Sequence, residues 1–229
     1  MGPTEKKALV LFARDPALGQ VKTRLQPLLG AETALALYTC FLRDSIDKIS
    51  AVAGAELFVG VYPSASSAFF AKLSAGKAVG IFTQEGADLG ARMQNAFLKF
   101  LGEGFAKVVI IGSDSPTLPV SYIEAAFASA KDVAVGPSYD GGYYLVGMNG
   151  KLTEIFSGVE WGTDRVLAQT LERLRFAGAG LELLPLWYDV DRPEDLRFLQ
   201  IHLALLRQGG MAVPPATDKY LEGMDLGQI

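Results

Sequence analysis

Short apolar segments that alternate with helical patterns are the feature that most restricts the fold of this chain. The clearest segment, residues 107–112 (KVVIIG), is continuous and β-branched, as expected of a strand buried on both faces of a parallel sheet. Further strands are predicted at 8–13, 56–62 and 79–83, and helices at 31–52 and 89–101. This alternation predicts an α/β fold, a three-layer α/β/α sandwich around a mixed, mostly parallel sheet.

The pattern changes in the second half of the chain. Residues 132–137 and 143–148 are predicted strands separated by five residues, SYDGG. That connection is too short for a crossover helix, so the second strand is expected to run antiparallel or to join another part of the sheet. The remaining elements are helices at 119–130, at 163–176 and from Pro193 onwards, and a last strand at 181–190.

The organisation of the chain is expected to be simple. Its 229 residues contain no repeat and no linker that would divide them, which predicts one domain over residues 1–208. Residues 209–229 carry Pro214 and Pro215 and are predicted to form an irregular tail. The apolar helices would also suit a homodimer.

Composition excludes several classes of protein. The net charge is −4 and no basic block occurs, so a nucleic acid is not an expected partner. No apolar run approaches the roughly 18 residues that span a bilayer, and we see no signal peptide pattern. The single cysteine, Cys40, cannot form a disulfide within the chain, as is typical of a cytoplasmic protein.

The loop after the first strand has the composition of an anion-binding site. Gly19 lets the backbone approach a ligand closely. Arg14, Lys22 and Arg24 can form charge-assisted hydrogen bonds with phosphate. The spacing matches neither a Walker A loop nor a dinucleotide-binding glycine pattern. The alternative is an ordinary connection whose cations are solvated.

Asp114 directly follows Ser113 and the strand at 107–112. In open α/β sheets ligands bind beyond the carboxyl ends of the strands, which places Asp114 on the same rim as Arg14 and residues 84–90. A carboxylate there can bind Mg²⁺, because Mg²⁺ takes one or two carboxylates together with substrate phosphates. The alternative is that Asp114 caps the following helix.

A second pair of carboxylates, Asp189 and Asp191, stands near the end of the last predicted strand. On an extended segment residues i and i+2 face one side, so either carboxylate could supply the second metal ligand. The alternative for Asp191 is the N-cap of the helix that opens at Pro193, and the two roles can coexist.

Two later loops are expected to contact an acceptor. In the first, Asp140 is followed by Gly141 and Gly142, which would let a small molecule approach closely. Trp161 and Thr163 stand in the second loop. The alternatives are a plain hairpin turn for the first loop and a core position for Trp161.

As a set, these motifs resemble the GT-A-type nucleotide-diphospho-sugar transferases, in the bacterial branch of glycosyltransferase A-like proteins. The resemblance spans residues 12–196 and rests on FARDPALGQVKTRL, QEGADLGARM, GSDSPTLP, GPSYDGGYYLVG, VEWGTD and DVDRPEDL. KTRL is similar to an element of phospholactate guanylyltransferases, and GSDSPTLP to one of molybdenum-cofactor guanylyltransferases. The resemblance implies a nucleotide-binding α/β fold with a mixed sheet.

The residues and the resemblance together assign roles in a site. Asp114 and Asp191 would hold Mg²⁺ or Mn²⁺. DVDRPEDL is similar to the closing D-x-x-[ED]-D-L element of sugar and polyol-phosphate nucleotidyltransferases, whose first Asp is a metal ligand, and this resemblance implies Asp191 as the ligand. Nucleotide contacts are expected from Phe12, Ala13, Arg14, Gly19, Lys22, Arg24, Gln84, Gly90, Arg92, Ser113 and Asp114. Acceptor contacts are expected from Gly141, Gly142, Trp161 and Thr163. Catalysis is assigned to Lys22, Arg24, Asp114 and Asp140.

These assignments favour transfer of a nucleotidyl group from an NTP to a small phosphorylated acceptor. One alternative is glycosyl transfer from an NDP-sugar, with Asp140 as the base. Another is a nucleotide-binding domain without catalysis. Two family patterns are absent: the opening L-A-G-G-x-x-x-R, replaced by FARDPALG, and a D-x-D at Asp114. The base of the nucleotide is therefore not assigned.

Overall fold

A seven-stranded sheet forms the centre of the computed structural model, which describes residues 5–224. Its strands are β1 (Lys7–Arg14), β2 (Glu56–Tyr62), β3 (Val79–Thr83), β4 (Lys107–Gly112), β5 (Val133–Pro137), β6 (Tyr143–Asn149) and β7 (Leu181–Leu183). They lie in the order β3-β2-β1-β4-β6-β5-β7. Strand β6 runs antiparallel to β4 and β5, and the other pairs are parallel. The predicted mixed, mostly parallel sheet is confirmed, and of the two possibilities for the strand at 143–148 the antiparallel one is observed.

Helices cover both faces of this sheet. They are α1 (Gln26–Leu29), α2 (Ala31–Ser50), α3 (Ala68–Leu73), α4 (Leu89–Gly102), α5 (Val120–Ala128), α6 (Val166–Ala177), α7 (Pro193–Gln208) and α8 (Pro215–Leu221). The alternation of side chains along β1 builds both cores. Leu9 and Leu11 pack with α2, α3 and α5, whereas Val10 packs with α4 and α6 on the other face. The predicted α/β/α sandwich is therefore confirmed.

The last predicted strand, residues 181–190, is wrong for most of its length. Only Leu181–Leu183 pairs with β5 as a strand, and beyond it Trp187 forms an isolated bridge to Ser138. Pro185 has no N–H with which to continue the ladder. The chain instead crosses to the end of β4, where the Val190 N–H donates to the carbonyl of Asp114.

The tail was also expected to be irregular, and this is wrong for 215–221, which form α8. Asp44 of α2, which is buried, accepts the N–H groups of Ala216 and Thr217 at 2.9 and 2.7 Å. The carboxylate thereby satisfies the free amides at the start of α8. The rest of the predicted tail includes 225–229, which lie outside the described residues.

No helix within residues 5–224 combines the length and the apolar character needed to cross a membrane.

Candidate active site

A cavity of about 1560 Å³ opens at the carboxyl ends of the parallel strands. Arg14 at the end of β1, Tyr62 at the end of β2 and Gly112 at the end of β4 all line it. Strand β6 runs the other way, so it contributes its first residue, Tyr143, to the same rim. The sheet topology thus brings together loops that are far apart in sequence, as expected for this class of sheet.

The centre of the cavity is an ion cluster formed by one lysine and two aspartates. Lys22 Nζ lies 2.5 Å from Asp114 Oδ1 and 2.9 Å from Asp191 Oδ1. It also donates a hydrogen bond of 2.8 Å to the carbonyl oxygen of Val190. The side chain of Lys22 is 3% exposed, whereas those of Asp114 and Asp191 are 39% and 36% exposed. The carboxylates therefore remain accessible although the ammonium is covered.

Local structure explains why Lys22 points inward. Val21 and Leu25 are buried on either side of it and anchor the loop. Among the described residues, Lys22 is the one non-glycine residue with a positive φ, at 46°. Such left-handed backbone conformations persist only where surrounding contacts hold them. The two carboxylates and the Val190 carbonyl are contacts of this kind.

Neither aspartate of the cluster caps a helix. Helix α5 begins at Val120, with Pro119 as its N-cap, so Asp114 is not needed there. At the start of α7 it is Asp195 that accepts the N–H groups of Asp191 and Arg192, at 3.0 and 2.8 Å. The capping alternatives for Asp114 and Asp191 are therefore wrong, and both carboxylates are left for the cavity.

Burial and charge act against each other in this cluster. Burial by itself would lower the pKa of Lys22, but the charges of Asp114 and Asp191 outweigh burial and raise its pKa above the ordinary value. In return, the ammonium of Lys22 lowers the pKa of Asp191. Burial raises the pKa of Asp114, and the ammonium of Lys22 opposes that rise.

The donor set of this cluster suits a divalent cation on one condition. Two carboxylates converge on one point beside an open cavity, which is what Mg²⁺ requires when phosphates supply its other ligands. That point is held by the ammonium of Lys22. Within residues 5–224 no group of three or more His, Cys, Asp or Glu side chains could form a metal site without substrate. The residues fit a metal once Lys22 has moved away.

Asp189, the other candidate ligand near Asp191, is occupied by hydroxyl groups. It accepts hydrogen bonds from Ser115 and, at 2.8 Å, from Ser138. These bonds join the loops that follow β4 and β5. Burial is the main cause that raises the pKa of Asp189 to about 6. Its geometry indicates a structural role rather than metal binding.

The raised pKa of Asp189 predicts a pH effect on stability. The carboxyl group binds its proton more tightly in the folded chain, at a pKa of about 6, than at its ordinary value of 3.8. Raising the pH from 3.8 to about 6 should therefore lower the free energy of unfolding. In Asp189→Asn, which does not titrate, this component should be missing. Chemical denaturation of both proteins across that window measures it, and parallel pH curves would contradict the prediction.

Four arginines line the cavity: Arg14, Arg24, Arg92 and Arg192. Arg24 Nη1 is 3.9 Å from Asp191 Oδ2. The guanidinium of Arg92 stacks on the ring of Tyr62 at 4.2 Å, and that of Arg14 lies 5.5 Å from the same ring. All four guanidinium groups line one cavity and can bind an anionic ligand bidentately.

Most of the residues predicted for the site do line the cavity. They are Phe12, Ala13, Arg14, Lys22, Arg24, Gln84, Arg92, Ser113, Asp114, Asp140, Gly142, Trp161, Thr163 and Asp191. Gly19, Gly90 and Gly141 do not line it. The amide of Gln84 is buried and donates to the carbonyls of Ala13 and Gly60 at 3.2 and 2.7 Å, so it joins the ends of β1 and β2.

The loop at Asp140 forms the predicted tight turn, since Asp140 Oδ1 accepts the N–H of Gly142 at 3.0 Å. Gly141 has a φ of +90° and packs against the backbone of Asp164. The turn thereby contacts the loop that carries Thr163, which makes Gly141 a packing residue. Asp140 itself remains exposed at the cavity.

Gly90 has a packing role beneath the predicted acceptor residue Trp161. A Cβ atom at Gly90 would overlap the indole ring. We therefore expect Gly90→Ala to lower the free energy of unfolding by about 2 kcal/mol, as overpacking does. Gly102→Ala is the matched control, because Gly102 lies in the same helix and its Cβ would meet nothing within 4 Å. Equal urea midpoints for the two variants would contradict this expectation.

Several cavity residues could not be identified from the sequence. Tyr38 lies on the apolar face of α2, yet its hydroxyl accepts the N–H of Arg14 at 2.9 Å and lies 3.1 Å from Ser113 Oγ. At another wall, the Tyr188 hydroxyl lies 2.7 Å from His202 Nδ1. Burial lowers the pKa of His202. Tyr38 and His202 stand in helical patterns and Tyr188 in a predicted strand, as core residues do. No local signal therefore distinguishes these three residues from packing residues.

The sequence and the fold of this chain are similar to those of known proteins. The family described as an uncharacterized protein conserved in bacteria (DUF2064) matches residues 45–163. The structure is also similar to a provisionally named nucleotide-diphospho-sugar transferase from Desulfovibrio desulfuricans G20, with 31% identity and a TM-score of 0.81. That similarity covers 94% of this chain and 98% of the other. No curated protein matches the chain.

More distant structures share the fold alone. One is the 4-diphosphocytidyl-2C-methyl-D-erythritol synthase of Anaerococcus prevotii DSM 20548, with 11% identity, a TM-score of 0.57, and coverage of 88% of this chain and 99% of that one. Another is the inositol-1-phosphate CTP transferase of T. maritima, with 16% identity, a TM-score of 0.51, and coverage of 96% and 98%.

Proposed function

This chain belongs to the DUF2064 family of bacterial proteins, and from that premise we propose that it is a divalent-cation-dependent nucleotidyltransferase. The reaction would transfer a nucleotidyl group from an NTP to a small phosphorylated acceptor, with release of pyrophosphate. One observation carries the proposal: two accessible carboxylates, Asp114 and Asp191, converge on a single cation position at the carboxyl ends of the sheet. The names of two fold relatives, a CTP transferase and a diphosphocytidyl synthase, are consistent with it.

The two aspartates of the cluster and two of the arginines that line the cavity have roles in this proposal. Asp114 and Asp191 would hold Mg²⁺, which when bound neutralises phosphate charge and makes the α-phosphorus more electrophilic. Arg14 and Arg24 would bind the outer phosphates and offset the charge that builds up on the departing pyrophosphate. The oxygen of the acceptor phosphate attacks phosphorus as the bond to pyrophosphate breaks. That oxygen is already ionised, so the step needs no general base and depends on alignment.

The large cavity leaves room for an acceptor beside the nucleotide. Binding pockets for drug-sized ligands occupy about 300–1,000 Å³, and this cavity is about 1560 Å³. Thr163 and Gly142 line it on the β6 side, and Trp161 lies between Tyr143 of β6 and Gly90 of α4. We therefore assign the acceptor to that side and the nucleotide to the side of Arg14, Gln84 and Arg92.

Glycosyl transfer from an NDP-sugar is the second candidate, because Asp140 is exposed at the cavity near Thr163. A sugar hydroxyl is far less acidic than a phosphate, and Asp140 would be its base. The hydrogen bond from Gly142 occupies Asp140 Oδ1 and leaves the other oxygen for this role.

The first experiment measures the melting temperature with each NTP and each NDP-sugar, with and without Mg²⁺. A ligand at a hundred times its dissociation constant adds about 2.7 kcal/mol of stability, which is readily detected. We expect an Mg²⁺-dependent shift with one NTP and pyrophosphate as the product with a phosphorylated acceptor. A nucleoside diphosphate as the product would instead establish glycosyl transfer. Binding without product across a broad acceptor panel would indicate a domain without catalysis.

A further inference from the structure

We propose that the position between Asp114 and Asp191 is a cation-exchange site. In the free protein it holds the ammonium of Lys22, and it accepts a divalent cation only after phosphate has drawn Lys22 away. Metal and nucleotide would then enter together. This inference rests on the proposed function for its metal and its phosphate, and it adds an order of binding and a role for Lys22.

In the free protein, the three N–H donors of the Lys22 ammonium face three acceptor oxygens. A lysine ammonium has three N–H donors. Three acceptor oxygens lie within 2.9 Å of Lys22 Nζ, one each from Asp114, Asp191 and Val190. No donor remains for a phosphate while this arrangement lasts. The phosphate contact expected of Lys22 from the sequence therefore requires the side chain to leave the carboxylates.

The Lys22 ammonium and a divalent cation exclude each other at this position. Mg²⁺ binds carboxylate oxygen at about 2.0–2.1 Å. The Oδ1 atoms that a shared metal would use already contact Nζ at 2.5 and 2.9 Å. A metal on both oxygens would press against a like-charged ammonium in a covered position, where water screens charge poorly. On these two oxygens, one cation must leave before the other binds.

The cavity beside Lys22 offers room for its side chain to move toward a bound phosphate. Its side chain lines the same cavity as Arg14 and Arg24, so a polyphosphate held by the arginines would offer it new acceptors. The lysine stem is flexible and its ammonium is a compact point charge. The backbone of Lys22 stays anchored by buried Val21 and Leu25 and by the hydrogen bond from the Leu25 N–H to the Lys22 carbonyl at 2.9 Å, so only the side chain needs to move.

The test measures Mn²⁺ binding by electron paramagnetic resonance in the absence of nucleotide. We expect weak binding to the wild type and at least about tenfold tighter binding to Lys22→Met, because a neutral side chain leaves both carboxylates free. Arg24→Met is the matched control: it removes a positive charge 3.9 Å from Asp191 but leaves Lys22 in place. Mn²⁺ affinity should rise less than about threefold in Arg24→Met, because the charge of Arg24 is exposed and screened by solvent.

A second measurement avoids the risk that Lys22→Met folds poorly. The ¹⁵N signal of the Lys22 ammonium in the wild type should not change when millimolar Mg²⁺ is added alone. It should shift when Mg²⁺ and inorganic triphosphate are added together, a probe that needs no knowledge of the base. A shift with Mg²⁺ alone, or none with Mg²⁺ and triphosphate at saturation, would overturn the exchange.

The two proposals fail in different ways. Equal Mn²⁺ affinities for wild type and a folded Lys22→Met would reject cation exchange whether or not the protein turns over nucleotides. Absence of pyrophosphate or any other product would reject the proposed reaction, yet a tenfold gain of Mn²⁺ affinity in Lys22→Met would still support the exchange.

Discussion

Replacing Asp114 or Asp191 by asparagine should lower the rate of nucleotidyl transfer by about 10²–10³-fold. Each carboxylate supplies a negative oxygen to the one position on which both converge. An amide of the same shape is a weak ligand for a hard divalent cation. The loss should be largest in kcat and should be partly restored at high Mg²⁺, because the substitution weakens the site without filling it.

The fold of these two variants should be preserved. In either one Lys22 keeps the other aspartate and the carbonyl of Val190. Asp47→Asn is the control, because Asp47 is an exposed residue whose carboxylate pairs with Lys77 away from the cavity. Its activity should equal that of the wild type. Full activity in Asp114→Asn and Asp191→Asn, with circular dichroism unchanged, would remove both residues from the mechanism.

Replacing Asp44 by alanine should lower the free energy of unfolding by about 3 kcal/mol, because hydrogen bonds to a charged group are the stronger ones. The carboxylate is 3% exposed and accepts two N–H groups at the start of α8. Alanine would leave these amides unpaired beneath the surface. We expect α8 to detach from α2, with faster amide exchange at Thr217 and earlier cleavage by proteases near residue 215.

Asp47→Ala is the matched control for this prediction. Asp47 lies in the same helix, three residues on, but its side chain is 57% exposed and its partner Lys77 is on the surface. Exposed ion pairs contribute about 0–1 kcal/mol. Urea denaturation should therefore distinguish the two alanine variants clearly. If Asp44→Ala were as stable as Asp47→Ala, the hydrogen bonds to α8 would contribute nothing measurable.

The predicted tail, residues 209–229, contains a helix that its composition did not indicate. Pro214 and Pro215 led to the prediction of an irregular segment. Proline is also well tolerated in the first turn of a helix, where its missing N–H is not needed. Pro215 is the first residue of α8, and the amides after it are bound by Asp44 from a segment about 170 positions earlier. No local sequence pattern near Asp44 or near Pro215 indicates that these two segments are in contact.

By itself, the sequence determined the architecture and the rim on which the site lies. Periodicity is a local property, so strands and helices can be identified from neighbouring residues. The short SYDGG connection excluded a crossover helix, and of the two possibilities that remained the antiparallel one is observed in β6. A sheet whose strands mostly run in parallel then brings their carboxyl ends to one edge. For that reason Arg14 and Asp114 could be assigned to one rim, whereas the choice of Asp191 over Asp189 rests on the resemblance of DVDRPEDL to a metal-binding element.

Only the tertiary structure decided which groups touch. Lys22 meets Asp191 and Val190 across 169 and 168 positions of sequence, and Asp189 is bound by Ser115 and Ser138 rather than left for a metal. Such contacts depend on how loops from different strands pack, and local sequence patterns carry no information about that packing. The sequence could name one cation and two carboxylates. Packing placed the lysine between them, because a buried charge must be paired with opposite charge and satisfied hydrogen bonds.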